Sequence, residues 1–264
     1  AIYQTEVPSY AARYGVPFLE NWAWNLVENI HLLATRTLVP STFALNQLRG
    51  RGIPRVGMWR RGVDTARFSP EKRDAGWRTT VAPGGERIIG YVGRLAVEKQ
   101  VEDLAALASV PNSRLVIVGD GPEKSALQEA LPDAVFTGFL GGEELAKAVA
   151  SFDLFVHPGE FETFCQTIQE AMASGVPVVA TGRGGPLDLV ENSRTGWLYR
   201  PGDLAGFRAR VMDLMGDDAK RRAFATSALA SAQARTWPVL CAPLAEPFRV
   251  VLAVSSYSGN GSCL

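Results

Sequence analysis

Two glutamates, Glu162 and Glu170, stand eight positions apart in ETFCQTIQEAMASG, between the apolar runs LFVHPG and VPVVATG. The pattern predicts a helix that begins near Thr163. The first N–H groups of such a helix are free and carry the positive end of its dipole, so they suit a phosphate or diphosphate. Eight helical residues rise about 12 Å, so one carboxylate can accept hydrogen bonds from a sugar and the other from a ribose. The alternative is that Glu162 complements the dipole and Glu170 is a solvated helix residue.

Two basic residues follow another apolar run. In YVGRLAVEKQ, Arg94 stands at the end of a predicted strand and Lys99 lies five residues later. Two cations near a helix N-terminus can neutralise a diphosphate and stabilise its departure in a transfer reaction. The alternative is a pair of surface cations, and the spacing alone does not decide between the two.

Glycine-containing turns supply further candidate contacts. GDGP, from Gly119 to Pro122, predicts a tight turn with the proline at the start of the next helix. Such a turn lets a flat base approach the backbone, although it also occurs without a ligand. TGRGGP places Gly184 and Gly185 before Pro186 and predicts another helix start with free amide groups. Neither stretch matches G-x-G-x-x-G or a Walker loop, so dinucleotide or ATP binding is not indicated.

Other side chains with chemical potential are few. His157 follows a predicted strand, where contact with a ligand and a structural hydrogen bond are both open. Cys165 is interpreted as a small packed thiol rather than a nucleophile, because no histidine or other base lies near it in the sequence. The chain contains no D-x-D pattern. No metal or other cofactor is therefore expected.

The elements that position these residues have a regular order. From Arg87 onward, apolar runs alternate with segments of helical period, which is typical of a doubly wound α/β domain with a parallel sheet. Ligands of such sheets bind beyond the carboxyl ends of the strands. The predicted strands are RIIGYVG, RLVIVGD, AVFTGFL, LFVHPG, VPVVATG and GWLYR. The predicted helices between them are VEDLAALASV, PEKSALQEAL, EELAKAVASF, TFCQTIQEAMASG and PLDLVEN.

The two ends of the chain have a different pattern. Before about Pro70, AIYQTEV and TLVPS predict strands, FLENWAWNLVENIHLLA an aromatic-rich helix, and STFALNQLRGRG a helix that Ser41 caps. After Gly202, DLAGFRARVMDLMGD and DAKRRAFATSALASAQA predict two more helices. The last residues, RTWPVLCAPLAEPFRVVLAVSSYSGNGSCL, follow them.

Composition excludes several classes of protein. Lys plus Arg and Asp plus Glu number 27 each, so a nucleic-acid partner is not expected. The three cysteines are far apart and show neither metal spacing nor a disulfide framework, which favours a reducing compartment. No run of about 18 apolar residues predicts a membrane-spanning helix. Five arginines between Arg49 and Arg61 predict a solvated surface or, less often, a phosphate contact.

The motifs together resemble retaining glycosyltransferases of the GT-B fold, family GT4, and most closely actinobacterial GDP-mannose-dependent α-mannosyltransferases. The resemblance covers roughly residues 60 to 205. It rests on RRGVDTARFSP, YVGRLAVEKQVEDL, LVIVGDGPEKSALQ, FTGFL, FDLFVHPGEFETFCQTIQEAMASGVPVVAT and GRGGPLDLVENSRTGWLYRPGD. It implies a Rossmann-like donor-binding domain, with a parallel sheet and helices on both faces, plus the remnant of a second Rossmann-like domain. Cytoplasmic location follows from the same resemblance, with peripheral contact to the inner face of the plasma membrane.

The resemblance also implies roles for individual residues. Arg94 and Lys99 would hold the donor diphosphate, and Glu162 would hold the transferred sugar, so these three are the candidate catalytic residues. Glu170 would bind the ribose. The remaining candidate donor contacts are Gly93, Gly119, Asp120, Gly121, Pro122, His157, Thr163, Phe164 and Cys165. The donor's own phosphate would assist deprotonation of the acceptor, which fits the lack of an evident enzyme nucleophile.

The resemblance divides the chain into three parts. Residues 1–66 would be the end of an acceptor-side domain and a linker, 67–235 the donor-binding domain, and 236–264 a crossing helix with an atypical tail. About a hundred residues of the acceptor-side domain are expected to be missing, so activity of this chain alone is an open question. A non-catalytic nucleotide-sugar-binding module that needs a partner is one alternative function. A sugar-nucleotide epimerase is less favoured, because only two histidines are present.

Overall fold

The computed structural model describes residues 1–6, 8, 10–11 and 14–241. The N-terminal elements are α1 (Glu20–Leu33), β1 (Thr37–Val39), α2 (Thr42–Gly50) and β2 (Val56–Met58), and the two strands pair in parallel. The Ser41 hydroxyl accepts a hydrogen bond from the amide of Ala44 at 3.2 Å, which confirms the predicted cap of α2. These elements share a small core of Tyr3, Trp24, Val39, Ala44, Leu48, Ile53 and Val56.

A six-stranded parallel sheet forms the rest of the fold. Its strands are β3 (Arg87–Val92), β4 (Ser113–Val118), β5 (Val135–Gly138), β6 (Leu154–His157), β7 (Val178–Thr181) and β8 (Gly196–Tyr199). The spatial order is β5-β4-β3-β6-β7-β8. The chain therefore winds outward from β3 to β5 and then crosses back to place β6 on the other side of β3. The gap between the carboxyl ends of β3 and β6 is the topological switch point, where sheets of this kind hold their ligands.

Helices cover both faces of this sheet. They are α3 (Ala75–Val81), α4 (Lys124–Ala130), α5 (Gly142–Ala150), α6 (Gln166–Ala173), α7 (Pro186–Leu189), α8 (Leu204–Gly216) and α9 (Asp218–Gln233). Alternate residues of β4 enter the two resulting cores: Val116 and Val118 pack with α5 and α6, whereas Leu115 and Ile117 pack with α4 and α8. A strand buried on both faces has no need of polar residues, which explains its continuous apolar run. The predicted α/β class is confirmed.

Three predicted elements differ from the structure. VEDLAALASV forms a 3₁₀ helix at Val101–Leu107, which starts after Gln100 in the left-handed conformation (φ 51°). Of AIYQTEV, the described residues 1–6 pair with β1 through an isolated bridge from Ile2 to Leu38. The helix after β6 begins at Gln166 rather than near Thr163. At the two helical segments, a residue in the left-handed conformation, Gln100 or Cys165, stands directly before the observed helix.

The linker between the two sheets lies against α6 and the end of α9. Val63 pairs with Thr236, and Val63 N–H donates to the carbonyl of Arg235 at 3.0 Å. Beyond Cys241 the predicted crossing helix and tail lie outside the described residues. The division at residues 66 and 235 stays a prediction. Within the described part of the chain, no helix is long and apolar enough to cross a membrane.

The loop that precedes α6 leaves no space beside Gly185. A Cβ added at Gly185 would lie 2.3 Å from the Cα of Phe164, and its amide donates to the Glu162 carbonyl at 2.7 Å. We expect Gly185→Ala to lower the free energy of unfolding by about 1–3 kcal/mol, because backbone has to move to admit the methyl group. Gly216→Ala is the matched control, since nothing lies within 4 Å of its added Cβ. Urea unfolding measures both, and equal stability of the two variants would contradict this packing.

Candidate functional site

A cavity of about 260 Å³ opens at the switch point. We call it the central cavity. It lies beside Gly93 and Arg94, which follow β3, and beside His157, which ends β6. The parallel sheet thus brings these three predicted residues together, as the sequence predicts. The other lining residues are Gln4, Arg61, Tyr91, Val92, Lys99, Glu162, Thr163, Phe164, Cys165, Gln166 and Thr167.

A buried carboxylate lies between two bases in the central cavity. Lys99 Nζ is 2.6 Å from Glu162 Oε1, and His157 Nε2 is 3.2 Å from the same oxygen. Burial alone would raise the pKa of Glu162, but hydrogen bonds and charges from His157 and Lys99 outweigh it and lower the pKa to about 2. Burial would likewise lower the pKa of His157, but Cys165 and Glu162 raise it to about 10. Glu162 is therefore an anion that both neighbours hold in place.

Cys165 adopts an unusual backbone conformation where α6 begins. It is the N-cap of α6 with φ 72° and ψ 75°, a region that residues other than glycine rarely adopt. Its thiol lies 3.5 Å from the hydroxyl of Thr167 and within 4.8 Å of the ligating atoms of His157 and Glu162. Cys165 is 6% exposed, as a packed thiol is expected to be. The sequence argument that no base lies near it fails, because the fold brings His157 to it.

The later start of α6 changes the predicted phosphate site. Thr163 and Phe164 belong to a loop, so their amides are not the first N–H groups of a helix. The free amides of α6 belong instead to its first turn, which begins at Gln166 at the wall of the central cavity. Glu162 and Glu170 also do not share one helix, so the predicted rise of eight helical residues does not measure their separation.

Arg94 has an acidic partner that the sequence did not indicate. It forms an ion pair with Glu98, whose side chain is 1% exposed. Glu98 also accepts a hydrogen bond from the hydroxyl of Tyr14 at 2.6 Å. The guanidinium itself remains 59% exposed and lines the central cavity. Arg94 is therefore available to an anion, but its charge is already compensated in part.

The GDGP turn lies directly on the loop that follows β3. A Cβ at Gly119 would be 1.9 Å from the Gly93 carbonyl oxygen, and one at Gly121 would be 2.2 Å from that of Leu95. Only glycine allows this approach at both positions. Beside the turn lies a second cavity of about 380 Å³, the apolar cavity. Its lining comprises Val92, Gly93, Arg94, Val118, Gly119, Asp120, Phe139, Leu140 and Leu145.

Asp120 and Pro122 have structural roles in the same turn. The Asp120 carboxylate accepts hydrogen bonds from the Gly121 amide and from Lys124, both at 2.8 Å. Pro122 lies two residues before α4, with Glu123 as the N-cap. Of the predicted contacts in GDGP, Gly119 and Asp120 line the apolar cavity, whereas Gly121 and Pro122 do not.

Glu170 lines a third cavity of about 680 Å³ beside the linker, which we call the linker cavity. Burial raises its pKa to about 7, although the charges of Arg61 and Arg67 oppose the shift. Glu170 is therefore neither fully solvated nor fully buried, and its role stays a prediction. Arg61 and Gln166 line both the linker cavity and the central cavity, so the two adjoin.

The loop of Glu162 is held from two sides. Gly184 and Gly185 pack against its backbone, and the Gly185 amide donates to the Glu162 carbonyl. The prediction of free amides at TGRGGP is therefore wrong for Gly185. On the other side, the hydroxyl of Thr163 donates to the carbonyl of Gln4, a residue of the N-terminal segment. Both contacts restrict the position of the loop backbone at Glu162.

Sequence reasoning missed Arg61 as a site residue. Of the five clustered arginines, Arg49, Arg51 and Arg55 hydrogen-bond to nearby groups of the N-terminal elements, and Arg60 is exposed. Arg61 lines two cavities, and within the described part of the chain its side chain has no ion-pair partner. The arginine cluster was the available signal, but only the path of the linker singles out one member.

Two side chains of α6 hold the linker at this point. Gln166 donates to the carbonyl of Gly62, and Gln169 donates to the carbonyl of Arg61, each at 3.1 Å. These bonds place Arg61 beside the first turn of α6. Tyr91, also missed, stacks on His157 with ring centroids 6.0 Å apart.

Comparison with known proteins supplies a context for this geometry. The profile of the family described as Glycosyl transferases group 1 matches residues 77–230. The chain is 48% identical over 252 residues to a GDP-mannose-dependent alpha-mannosyltransferase of Mycobacterium tuberculosis, covering 95% of this chain and 66% of that protein. It is 50% identical over 256 residues to a protein of the same description from Mycolicibacterium smegmatis, covering 96% of this chain and 67% of that protein. The chain thus spans about two thirds of the length of these curated relatives.

Solved structures extend the comparison to the fold. The sucrose-phosphate synthase of Thermosynechococcus elongatus superposes with a TM-score of 0.82 at 24% identity, over 96% of this chain and 67% of that one. At this identity the likeness concerns the fold alone. The predicted GT-B architecture is confirmed.

The raised pKa of Glu170 predicts a pH-dependent cost to stability. The folded pKa of Glu170 is about 7, against an ordinary value of 4.5. The carboxyl is neutral in both states at low pH, and the folded state loses stability as pH rises from 4.5 through 7. We expect Glu170→Gln to raise the free energy of unfolding at pH 8 by roughly 1–3 kcal/mol and to change it little at pH 4. Glu129→Gln, on an exposed helix position, is the control. A gain that does not depend on pH would contradict the assignment.

Proposed function

The chain belongs to the group 1 glycosyl transferases, and we propose that it binds GDP-mannose and forms the donor half of a retaining α-mannosyltransferase. The observation that carries the proposal is the cavity at the switch point that cationic side chains line. There Lys99, Arg94 and Arg61 surround the first turn of α6, and Glu162 is fixed as an anion among them. The likeness to GDP-mannose-dependent relatives supports the choice of donor.

The diphosphate is assigned to the central cavity. The open amides of α6 and the cations Lys99, Arg94 and Arg61 would compensate its charge. Lys99 and Arg94 are paired with Glu162 and Glu98, so a bound diphosphate shares or replaces these partners. Arg61 needs no such exchange within the described part of the chain. The site therefore offers one cation that is free and two that are already oriented.

The transferred sugar is assigned to Glu162 and His157. A carboxylate with a pKa near 2 accepts hydrogen bonds from sugar hydroxyls at neutral pH, and its contacts with Lys99 and His157 fix its position. In the transfer, the bond from the anomeric carbon to the β-phosphate oxygen breaks, and a bond from the same carbon to the acceptor oxygen forms. The acceptor proton passes to the departing phosphate. The cations stabilise the negative charge that develops there.

The nucleoside is assigned to the residues beside the central cavity. Guanine would lie in the apolar cavity, against the backbone of Gly93 and Gly119 and against Phe139, which is 80% exposed. Glu170 would accept hydrogen bonds from the ribose hydroxyls. The acceptor, a lipid or a saccharide, would approach from the side of the N-terminal elements, and peripheral contact with the inner face of the membrane belongs to the same proposal.

Two other functions would use the same cleft. A binding module that needs a partner would hold the donor without transferring its sugar. An epimerase would convert the nucleotide sugar with no acceptor present, and it needs acids and bases on both faces of the sugar. Around Glu162, the described residues offer His157 and Lys99, both on the same carboxylate oxygen, and the raised pKa values of both groups keep them protonated. This one-sided arrangement favours transfer over epimerisation.

The proposal is tested first by calorimetric titration of the chain with GDP and with UDP, without added metal. We expect GDP to bind and UDP to bind at least roughly tenfold more weakly, a difference of about 1.4 kcal/mol. Equal binding of the two nucleotides would contradict the guanine assignment. Absence of both would contradict the donor site as a whole. Incubation of GDP-mannose without acceptor, followed by chromatography of the sugars, tests for the epimerase.

Arg61 and its neighbour Arg60 provide a matched pair for the diphosphate contact. We expect Arg61→Ala to lower the affinity for GDP by roughly 10- to 100-fold, because a charge-assisted hydrogen bond is worth about 1.5–3 kcal/mol. The affinity for guanosine should fall by less than about twofold. Arg60→Ala, with its exposed side chain, should change neither affinity. An equal loss of GDP and guanosine affinity in Arg61→Ala would mean that Arg61 acts through Glu170 rather than on phosphate. Inorganic pyrophosphate serves as a probe that is independent of the base.

A further inference from the structure

Three side chains of different ligand type converge on the floor of the central cavity. His157, Glu162 and Cys165 each offer one ligating atom, and these atoms lie within 4.8 Å of one another. The imidazole and carboxylate are already 3.2 Å apart. Tetrahedral zinc, with bonds of about 2.0–2.3 Å, needs ligand atoms separated by about 3.3–3.6 Å. A shift of the Cys165 sulfur by about one ångström would bring it within this separation from the other two ligand atoms.

Two features of the cluster lower the stability of the folded state. Cys165 holds a left-handed conformation that strains any side chain, whereas glycine would adopt it freely. Among the described residues, His157 Nδ1 is buried and has no hydrogen-bond partner, and the imidazole is only 2% exposed. Both fall on the same cluster, and both residues belong to the ligand types that bind thiophilic divalent metals.

From this convergence we propose that His157, Glu162 and Cys165 form a binding site for Zn²⁺ or a similar thiophilic divalent cation, and that the bound metal excludes the nucleotide-sugar donor. Thiolate, carboxylate and neutral imidazole would supply three ligands and two negative charges, and water the fourth position. Binding releases one proton from the thiol and one from the imidazolium. No electron is transferred, and no other reactant is needed.

Exclusion of the donor follows from the position of Glu162. The carboxylate now contacts Lys99 at 2.6 Å, and the proposed sugar contact uses the same group. A metal on Glu162 occupies the sugar position and repels Lys99. The metal is thus an inhibitor and not a cofactor. The donor assignment used here rests on the proposed function, but the metal site itself does not.

The test is a calorimetric titration of the reduced chain with ZnCl₂, followed by Co²⁺ as an optical probe. We expect one Zn²⁺ per chain and a cobalt spectrum with a thiolate-to-metal charge-transfer band. Cys165→Gly should lower the affinity for Zn²⁺ at least roughly 100-fold. Glycine adopts the left-handed conformation without strain, so we expect this variant to fold. Cys241→Ser is the thiol control, because Cys241 lies outside the cluster, and it should bind Zn²⁺ like the natural sequence.

Competition separates this inference from the proposed function. Saturation with Zn²⁺ should lower the affinity for GDP-mannose at least roughly tenfold in the natural sequence. In Cys165→Gly it should leave this affinity unchanged. Zinc binding that survives Cys165→Gly, or is lost in Cys241→Ser, overturns the site. Simultaneous binding of Zn²⁺ and GDP-mannose at full affinity overturns the exclusion. If Zn²⁺ binds through Cys165 while no nucleotide binds at all, the metal site stands and the proposed function fails.

Discussion

The buried ion cluster of Glu162 with Lys99 and His157 is the interaction on which the rest of the site depends. A lone carboxylate at this depth would be protonated or would turn toward solvent, because burial of an unpaired charge is costly. The two partners reverse that preference and bring the pKa of Glu162 to about 2. Removal of one partner from such a cluster typically costs about 3–5 kcal/mol. The cluster therefore fixes one anion at the switch point, where the fold places its ligands.

The sheet and its loops supply the geometry that this cluster requires. Lys99 arrives from the segment after β3 and His157 from the end of β6, so the two bases meet only because β6 lies beside β3. Glu162 belongs to a loop that Gly184 and Gly185 press against from the other side. A Cβ added at either glycine would lie under 3 Å from backbone atoms of this loop, so the two segments pack closely and the loop has little freedom. Rigid placement of the anion is thus a property of the fold and not of the side chain alone.

Much of the fold could be predicted from the sequence, since strands such as β4 that are buried on both faces have continuous apolar runs. Proximity at the carboxyl edge, as for Gly93 and His157, follows from topology and was predictable for the same reason. The start of α6 was not, because Cys165 in a left-handed conformation ends the loop and no sequence pattern indicates that conformation for a cysteine. The partner of Arg94 and the position of Arg61 were equally hidden, because each depends on a contact between distant segments.

Contacts across the cleft connect the N-terminal elements to the charges of the site. Tyr14 donates to Glu98, which holds Arg94, and Thr163 beside Glu162 donates to Gln4. An anion that draws Arg94 away from Glu98 leaves a nearly fully buried carboxylate, to which Tyr14 and the Glu98 backbone amide still donate hydrogen bonds. A stronger hydrogen bond from Tyr14 then offsets part of the free energy that is lost with the ion pair. Occupation of the central cavity and the seating of the N-terminal elements are therefore coupled through Glu98, and the coupling acts in both directions.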